Sequence, residues 1–229
     1  MMRLLISVRS VGEALLAARG GADLIDLKEP DHGALGGLAV ATIRSIVAAL
    51  RLEGIALPIS ATIGDVPAHA LDEIAARVDA VAACGVHYVK VGIERDAHAR
   101  ALLDRLAASA HKVVPVFIAD RGLDTALIAH AASLTFPGLM IDTADKRAGS
   151  LLERVTAAEL RGFVAAGRAA RAMVGLAGAL RVDDAPLLAA LAPDFAGFRS
   201  AVCDGDRRAA LDARRLRVLV EAMHAAQSR

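Results

Sequence analysis

The stretch RLLISVRSVGEALLAARGGADLIDLK, residues 3–28, holds one full turn of the pattern that organises the whole chain. Arg3 to Val8 is a short aliphatic run of the kind expected for a strand covered on both faces. Ser10 stands where a helix start favours a hydroxyl side chain, and Val11 to Arg19 carries helical spacing. Gly20-Gly21 sits where a left-handed helix end favours glycine, and Leu24 to Lys28 reads as the next strand.

The same order recurs along the chain. Further strands are expected at Leu57 to Ile63, Tyr88 to Gly92, Lys112 to Ile118, Leu139 to Asp142, Ala172 to Leu176 and Phe195 to Arg199. Helices are expected at Leu38 to Leu52, Pro67 to Cys84, Asp96 to Ala110, Asp124 to Ala132, Thr156 to Ala166, Val182 to Ala192 and Asp212 to Ala226. Thr156 with Glu159 forms a capping-box pattern, Asp183 and Asp184 open the seventh helix, and Gly85, Gly138 and Gly167 fall at expected helix ends. Eight strand-helix units in 229 residues, with no linker-like stretch, fit an α/β fold built as a single (β/α)8 TIM barrel, one domain over residues 1–229.

In such a barrel the chemistry collects where strands end, so the polar residues at those ends become the candidates. Strand two closes on Asp26-Leu27-Lys28, whose two-residue spacing points Asp26 and Lys28 to one side. Strand four carries Lys90, and strand six ends in Asp142 with Lys146 just beyond. Only four lysines accompany twenty-three arginines here, and three of them fall at these places. A desolvated lysine can lose its proton and attack a carbonyl, which an arginine cannot. Two neighbouring lysines repel each other's charge, so at least one pKa should fall. The carboxylates are suited to moving protons beside an imine or enamine. The same Asp-x-Lys pattern also describes a solvated surface ion pair. Lys112 opens a strand at the opposite end and reads as a plain surface charge.

Loops after strands seven and eight often hold a phosphate, and here they read Gly175-Leu-Ala-Gly178-Ala and Gly197-Phe-Arg199-Ser200-Ala201. Gly178, Arg199, Ser200 and Ala201 are the candidate phosphate-binding residues, although such glycines also serve tight turns. Gly33-Ala-Leu-Gly36-Gly37 reads as a mobile loop over the site. Asp204-Gly205-Asp206-Arg207-Arg208 reads as a polar loop closing the site or as an ordinary turn.

A formal charge of +1 from 27 basic and 26 acidic residues supplies no field for nucleic acid or an anionic membrane. No apolar, charge-free run is long enough to span a bilayer. Cys84 and Cys203 lack redox or metal spacing, and no H-x-x-x-H, calcium loop or nucleotide fingerprint occurs. The expectation is therefore a cytoplasmic enzyme with two free thiols, without metal or cofactor. Amine chemistry beside candidate phosphate loops suits a small phosphorylated carbonyl substrate, and the alanine-rich Val182 to Ala192 helix offers a face for a homo-oligomer. From the residues alone, a Schiff-base aldolase or transaldolase on sugar phosphates, and a degenerate barrel that only binds a phosphorylated metabolite, stay open.

Several of these motifs resemble one family. Ile25-Asp26-Leu27-Lys28-Glu29-Pro30, Gly33-Ala34-Leu35-Gly36, Ser60-Ala61-Thr62-Ile63-Gly64-Asp65-Val66-Pro67, Tyr88-Val89-Lys90-Val91-Gly92 and Leu139-Met140-Ile141-Asp142-Thr143-Ala144 are similar to the (5-formylfuran-3-yl)methyl phosphate synthases, nearly end to end. The resemblance implies condensation of two glyceraldehyde 3-phosphates into one furan phosphate for a methanofuran-type one-carbon carrier. It further implies Lys28 as the Schiff-base lysine and Lys90 as the proton acceptor, with Asp26, Asp142 and Lys146 in support. The loop after strand eight departs from the family pattern at Ser200, Ala201 and Asp204.

Overall fold

The computed structural model describes residues 1–31, 33, 35–145 and 149–228. Eight parallel strands follow one another around a closed barrel: β1 (Arg3–Val8), β2 (Leu24–Leu27), β3 (Ile59–Thr62), β4 (Tyr88–Ile93), β5 (Val113–Ile118), β6 (Gly138–Asp142), β7 (Met173–Leu176) and β8 (Phe195–Phe198). The ring shuts where β8 pairs with β1, in the register Arg3↔Phe195 to Ile6↔Phe198. Between and after the strands run α1 (Val11–Arg19), α2 (Val40–Leu52), α3 (Leu71–Ala82), α4 (Ala99–Ala107), α5 (Thr125–Ser133), α6 (Leu151–Arg154), α7 (Ala157–Ala169), α8 (Ala185–Leu191) and α9 (Ala213–Gln227). The (β/α)8 architecture read from the sequence is the one observed. Among the described residues no helix is long and apolar enough to cross a membrane.

Alternation along each strand sorts the side chains into two cores. Leu4, Ile6, Val8, Ile25 and Leu27 pack outward against the helices. Leu5, Leu24, Val114, Val116, Met140, Ala177 and Phe195 fill the barrel interior. Gly175 makes room for that filling, because a Cβ there would collide with the Phe195 ring. The same inward register carries Ser7, Asp26, Ser60, Lys90 and Asp142 toward the carboxyl end of the barrel, which is how the period of the strands builds the site.

The capping signals hold at Ser10, whose side chain accepts from the Glu13 amide, and at the Thr156–Glu159 capping box. Two glycines do something other than end helices. Gly167 lies inside α7, which continues to Ala169; a side chain there would strike Val174, so glycine lets the helix sit close on β7. Gly138 opens β6, with its Cα face against the Met173 carbonyl. The segment 182–192 begins as a 3-10 turn, Val182–Asp184, and becomes helical only from Ala185. Helix α6 escapes a reading by periodicity because its four residues make barely one turn.

The 33–37 loop also differs from its reading as a mobile cover. Leu35 is buried in the inner core, its amide donates to Asp65 Oδ1 at 3.2 Å, and the Gly36 carbonyl accepts from Thr62 Oγ1 at 2.9 Å and from the Glu29 amide at 2.8 Å. This loop is docked rather than hovering, and its His32 and Ala34 lie outside the described residues.

Candidate active site

At the carboxyl end of the barrel two lysines and two aspartates form crossed ion pairs. Lys90 Nζ lies 2.6 Å from Asp26 Oδ1, and Lys28 Nζ lies 3.1 Å from Asp142 Oδ2. Each lysine thus faces the carboxylate of another strand. Lys28 stands one residue past β2, yet its amide still donates to the Val8 carbonyl at 3.1 Å, so the backbone keeps the direction set by the strand. Relative exposures of 1% for Asp26, 7% for Lys28, 2% for Lys90 and 2% for Asp142 remove the surface ion-pair reading. Lys112, by contrast, is exposed before β5.

Asp26 is held on every side. Ser60 Oγ donates to its Oδ1 at 2.7 Å and Ser7 Oγ to its Oδ2 at 3.0 Å. Burial alone would push this carboxyl up, but the charges of Lys90 and Lys28 and these hydrogen bonds outweigh it, so Asp26 stays below its ordinary value and ionised. Lys90 moves down from its ordinary 10.5: desolvation is the largest cause, and the Lys28 charge adds to it against the pull of Asp26 and Asp142. The soft sulfur of Met140 lies 3.9 Å from its Nζ. Asp142 is oriented by the Thr143 amide, which donates to Oδ1 at 2.8 Å. The following loop is pinned by Asp120, whose carboxylate accepts from the amides of Ala144 at 2.5 Å and Asp145 at 2.9 Å. Lys146, the fifth candidate, lies outside the described residues.

A narrow cleft above this cluster is lined by Asp26, Lys28, Asp142, Gly178, Ala179, Arg199, Ser200 and Arg207. Gly178 adopts φ +122 and Ala179 φ +48, so two consecutive residues in the loop after β7 take the left-handed half of backbone space. Ser200 begins a single 3-10 turn, Ser200–Val202. Ala201 turns elsewhere, onto an outer groove with Val182 and Asp204. A wider groove of about 880 Å³ between α8, α9 and the Met1-Met2 segment is lined largely by alanine and proline and lies away from the lysines.

Arg199 requires a correction as a phosphate ligand. Its five N–H donors are all engaged within the protein: Nε with the Arg207 carbonyl at 2.8 Å, Nη1 with the Ser7 carbonyl at 3.1 Å and Glu13 Oε2 at 2.6 Å, and Nη2 with Glu13 Oε1 at 3.0 Å and the Ala209 carbonyl at 2.8 Å. It is a clamp that ties the loop after β8 to β1 and α1. Glu13, buried in the first helix, completes the clamp; no sequence signal marks it except a carboxylate on an otherwise apolar helix face. Burial would raise the Glu13 pKa, but Arg199 and the Arg9 amide outweigh this and hold it below its ordinary 4.5. Removing that carboxylate in Glu13→Ala leaves a buried guanidinium without its partner, a loss of about 3–5 kcal/mol. The expected result is a lower urea midpoint at neutral pH. Because the folded pKa is depressed, this stabilisation is complete above the unfolded value and disappears as pH falls through the folded one, so wild type and variant should converge in acid.

The 4-HFC-P synthase family model matches residues 4–220. A Methylorubrum extorquens relative is 42% identical over 224 residues, spanning 97% of this chain and 92% of its own. The (5-formylfuran-3-yl)methyl phosphate synthase of Archaeoglobus fulgidus is 33% identical over 97% of this chain and 100% of its own length. That of Methanopyrus kandleri is 33% identical over 96% and 98%. Among solved structures, phosphoribosyl anthranilate isomerase from Thermus thermophilus superposes with a TM-score of 0.68 at 17% identity, over 98% of this chain and 99% of that one. 3-Hexulose-6-phosphate synthase from Salmonella typhimurium gives 0.66 at 17%, over 98% and 100%. At such identity the structural likeness speaks for the barrel alone.

Proposed function

Since the chain belongs to the 4-HFC-P synthase family, we propose that it is a (5-formylfuran-3-yl)methyl phosphate synthase that condenses two molecules of glyceraldehyde 3-phosphate through a Schiff base on Lys28. The observation that carries the mechanism is the crossed pairing: two buried lysines share two carboxylates, with the deeper one, Lys90, pushed toward its neutral form.

The chemistry runs from these residues. Lys28, nearer the cleft, attacks the aldehyde carbon of one triose phosphate and loses water to form the imine. Lys90 in its neutral form takes the proton from C2, and the electron pair moves through the enamine to break the C3–O bond and expel phosphate. Lys90, neutral again once the departing phosphate has taken up the first proton, removes the C2 proton of the second triose, and the enediol carbon so formed adds to C3 of the unsaturated iminium. Ring closure and loss of two waters give the furan, and water returned to the imine frees Lys28 and leaves its carbon as the formyl group. Asp26 and Asp142 hold the two ammonium forms in place and keep both lysines oriented. Lys146 is assigned a supporting role on the resemblance alone. The loops carrying Gly178 and Ser200 present the backbone to the phosphoryl group, whereas Ala201 lines the outer groove.

The test is borohydride reduction in the presence of glyceraldehyde 3-phosphate. A single stable adduct on Lys28 by peptide mass spectrometry is expected, together with phosphate release and a rising furan absorbance when borohydride is omitted. An untouched Lys28 alongside normal furan formation would remove the Schiff base from the scheme. A reversible aldol product without phosphate would make the protein an aldolase.

A further inference from the structure

Arg207 is the one cleft residue whose situation the cluster below it does not explain. It sits in the loop after β8, which the isolated antiparallel bridge between Cys203 and Leu211 closes at its base. The loop is held from below by Arg199, through the carbonyls of Arg207 and Ala209. That grip uses backbone oxygen and leaves the Arg207 side chain free to face the cleft, where it shares the wall with Lys28, Asp142, Gly178 and Ser200.

Its neighbour provides the contrast. Arg208 has Asp206 at 3.2 Å and Asp31 at 4.0 Å. Among the described residues the half-buried guanidinium of Arg207 has no ion pair and no hydrogen bond to the protein. Burial, followed by the charge of Arg199, lowers its pKa, against the attraction of Asp142, Asp206 and Asp31. A half-buried guanidinium at the mouth of a narrow cleft, beside two left-handed residues and the start of a 3-10 turn, has the fork geometry that suits a phosphoryl group.

We propose that Arg207 binds the phosphoryl group of the aldehyde captured by Lys28, so that this arginine selects phosphorylated over unphosphorylated substrate and receives the phosphate when its bond to C3 breaks. The inference rests on the triose phosphate reading above, and it moves the cationic phosphate contact from Arg199 to Arg207. The departing phosphate carries the C3–O electron pair and takes up the proton that Lys90 removed from C2, so it leaves as the dianion HPO4 2− against the guanidinium and Lys90 returns to its neutral form.

Arg207→Gln, with Arg207→Lys beside it, separates the two readings. Borohydride trapping on Lys28 is titrated with glyceraldehyde 3-phosphate and, in parallel, with glyceraldehyde. The Gln variant should need about 10- to 100-fold more of the phosphorylated aldehyde for half-maximal adduct, the Lys variant should recover part of that, and half-saturation by glyceraldehyde should be unchanged. Equal half-saturation of wild type and Arg207→Gln by glyceraldehyde 3-phosphate overturns the assignment. Calorimetric titration with inorganic phosphate reads the arginine without any imine: binding by wild type and its loss in the Gln variant uphold the site even where neither aldehyde is trapped, an outcome that removes only the Schiff base. Equal binding of phosphate by both proteins, or none by wild type, counts against Arg207.

Discussion

Lys28→Arg is expected to lower kcat/KM by about 10⁴-fold or more while the protein stays folded. Charge opposite Asp142 is retained in the variant, so the ion pair that Lys28 makes at 3.1 Å survives in kind. What disappears is the primary amine, since a guanidinium stays protonated and cannot form the imine. Furan absorbance reports the activity and a urea transition reports the fold. Turnover within tenfold of wild type would show that the bond-forming nitrogen is elsewhere, and Lys90 would be the first place to look.

Lys90→Arg is expected to cost about 10²–10⁴-fold in kcat, the usual weight of a positioned base. Its pH signature distinguishes it from a structural defect. Lys90 works as a base only when unprotonated, and desolvation together with the nearby Lys28 charge lowers its pKa from 10.5. Wild-type kcat/KM should therefore climb with pH along a limb centred below that value, and the limb should vanish in the arginine variant. Stability carries a second signature. A lysine whose folded pKa lies below its unfolded one binds its proton more tightly when unfolded, so its contribution to stability improves as pH rises. Asp26 runs the other way: its folded pKa lies below its ordinary 3.8, and the stability it supplies is lost as pH falls through the folded value. An unchanged pH profile in Lys90→Arg would take the base role from this residue.

The strand-helix alternation was legible because both periods are short-range properties of the chain. Val11–Arg19 follows from Ser10 and its spacing without reference to anything distant. Failures came where a residue's work depends on a partner remote in sequence. Gly167 resembles a helix end until Val174 is seen packed on it, and Arg199 resembles an anion ligand until Glu13, 186 residues away, is found occupying it. The site divides on the same line. Asp26, Lys28, Lys90 and Asp142 could be picked out because strand ends are local, whereas their crossed partnership, Asp26 with Lys90 and Lys28 with Asp142, depends on barrel closure. Ser7 and Ser60 belong with that second group: each is one inward position in an apolar run, and only the shared Asp26 gives them a purpose.

The seam between β1 and β8 has a consequence for a growing polypeptide. Arg199 reaches the Ser7 carbonyl across 192 positions, and the loop bearing Arg207 hangs from that same guanidinium. A ribosome must deliver the eighth strand before the first can be sealed against solvent, so a nascent chain displays its reactive amines without the enclosure that tames them. Until that seam forms, Lys90 keeps the hydration of an unfolded lysine, so its lowered pKa arrives only with the finished ring.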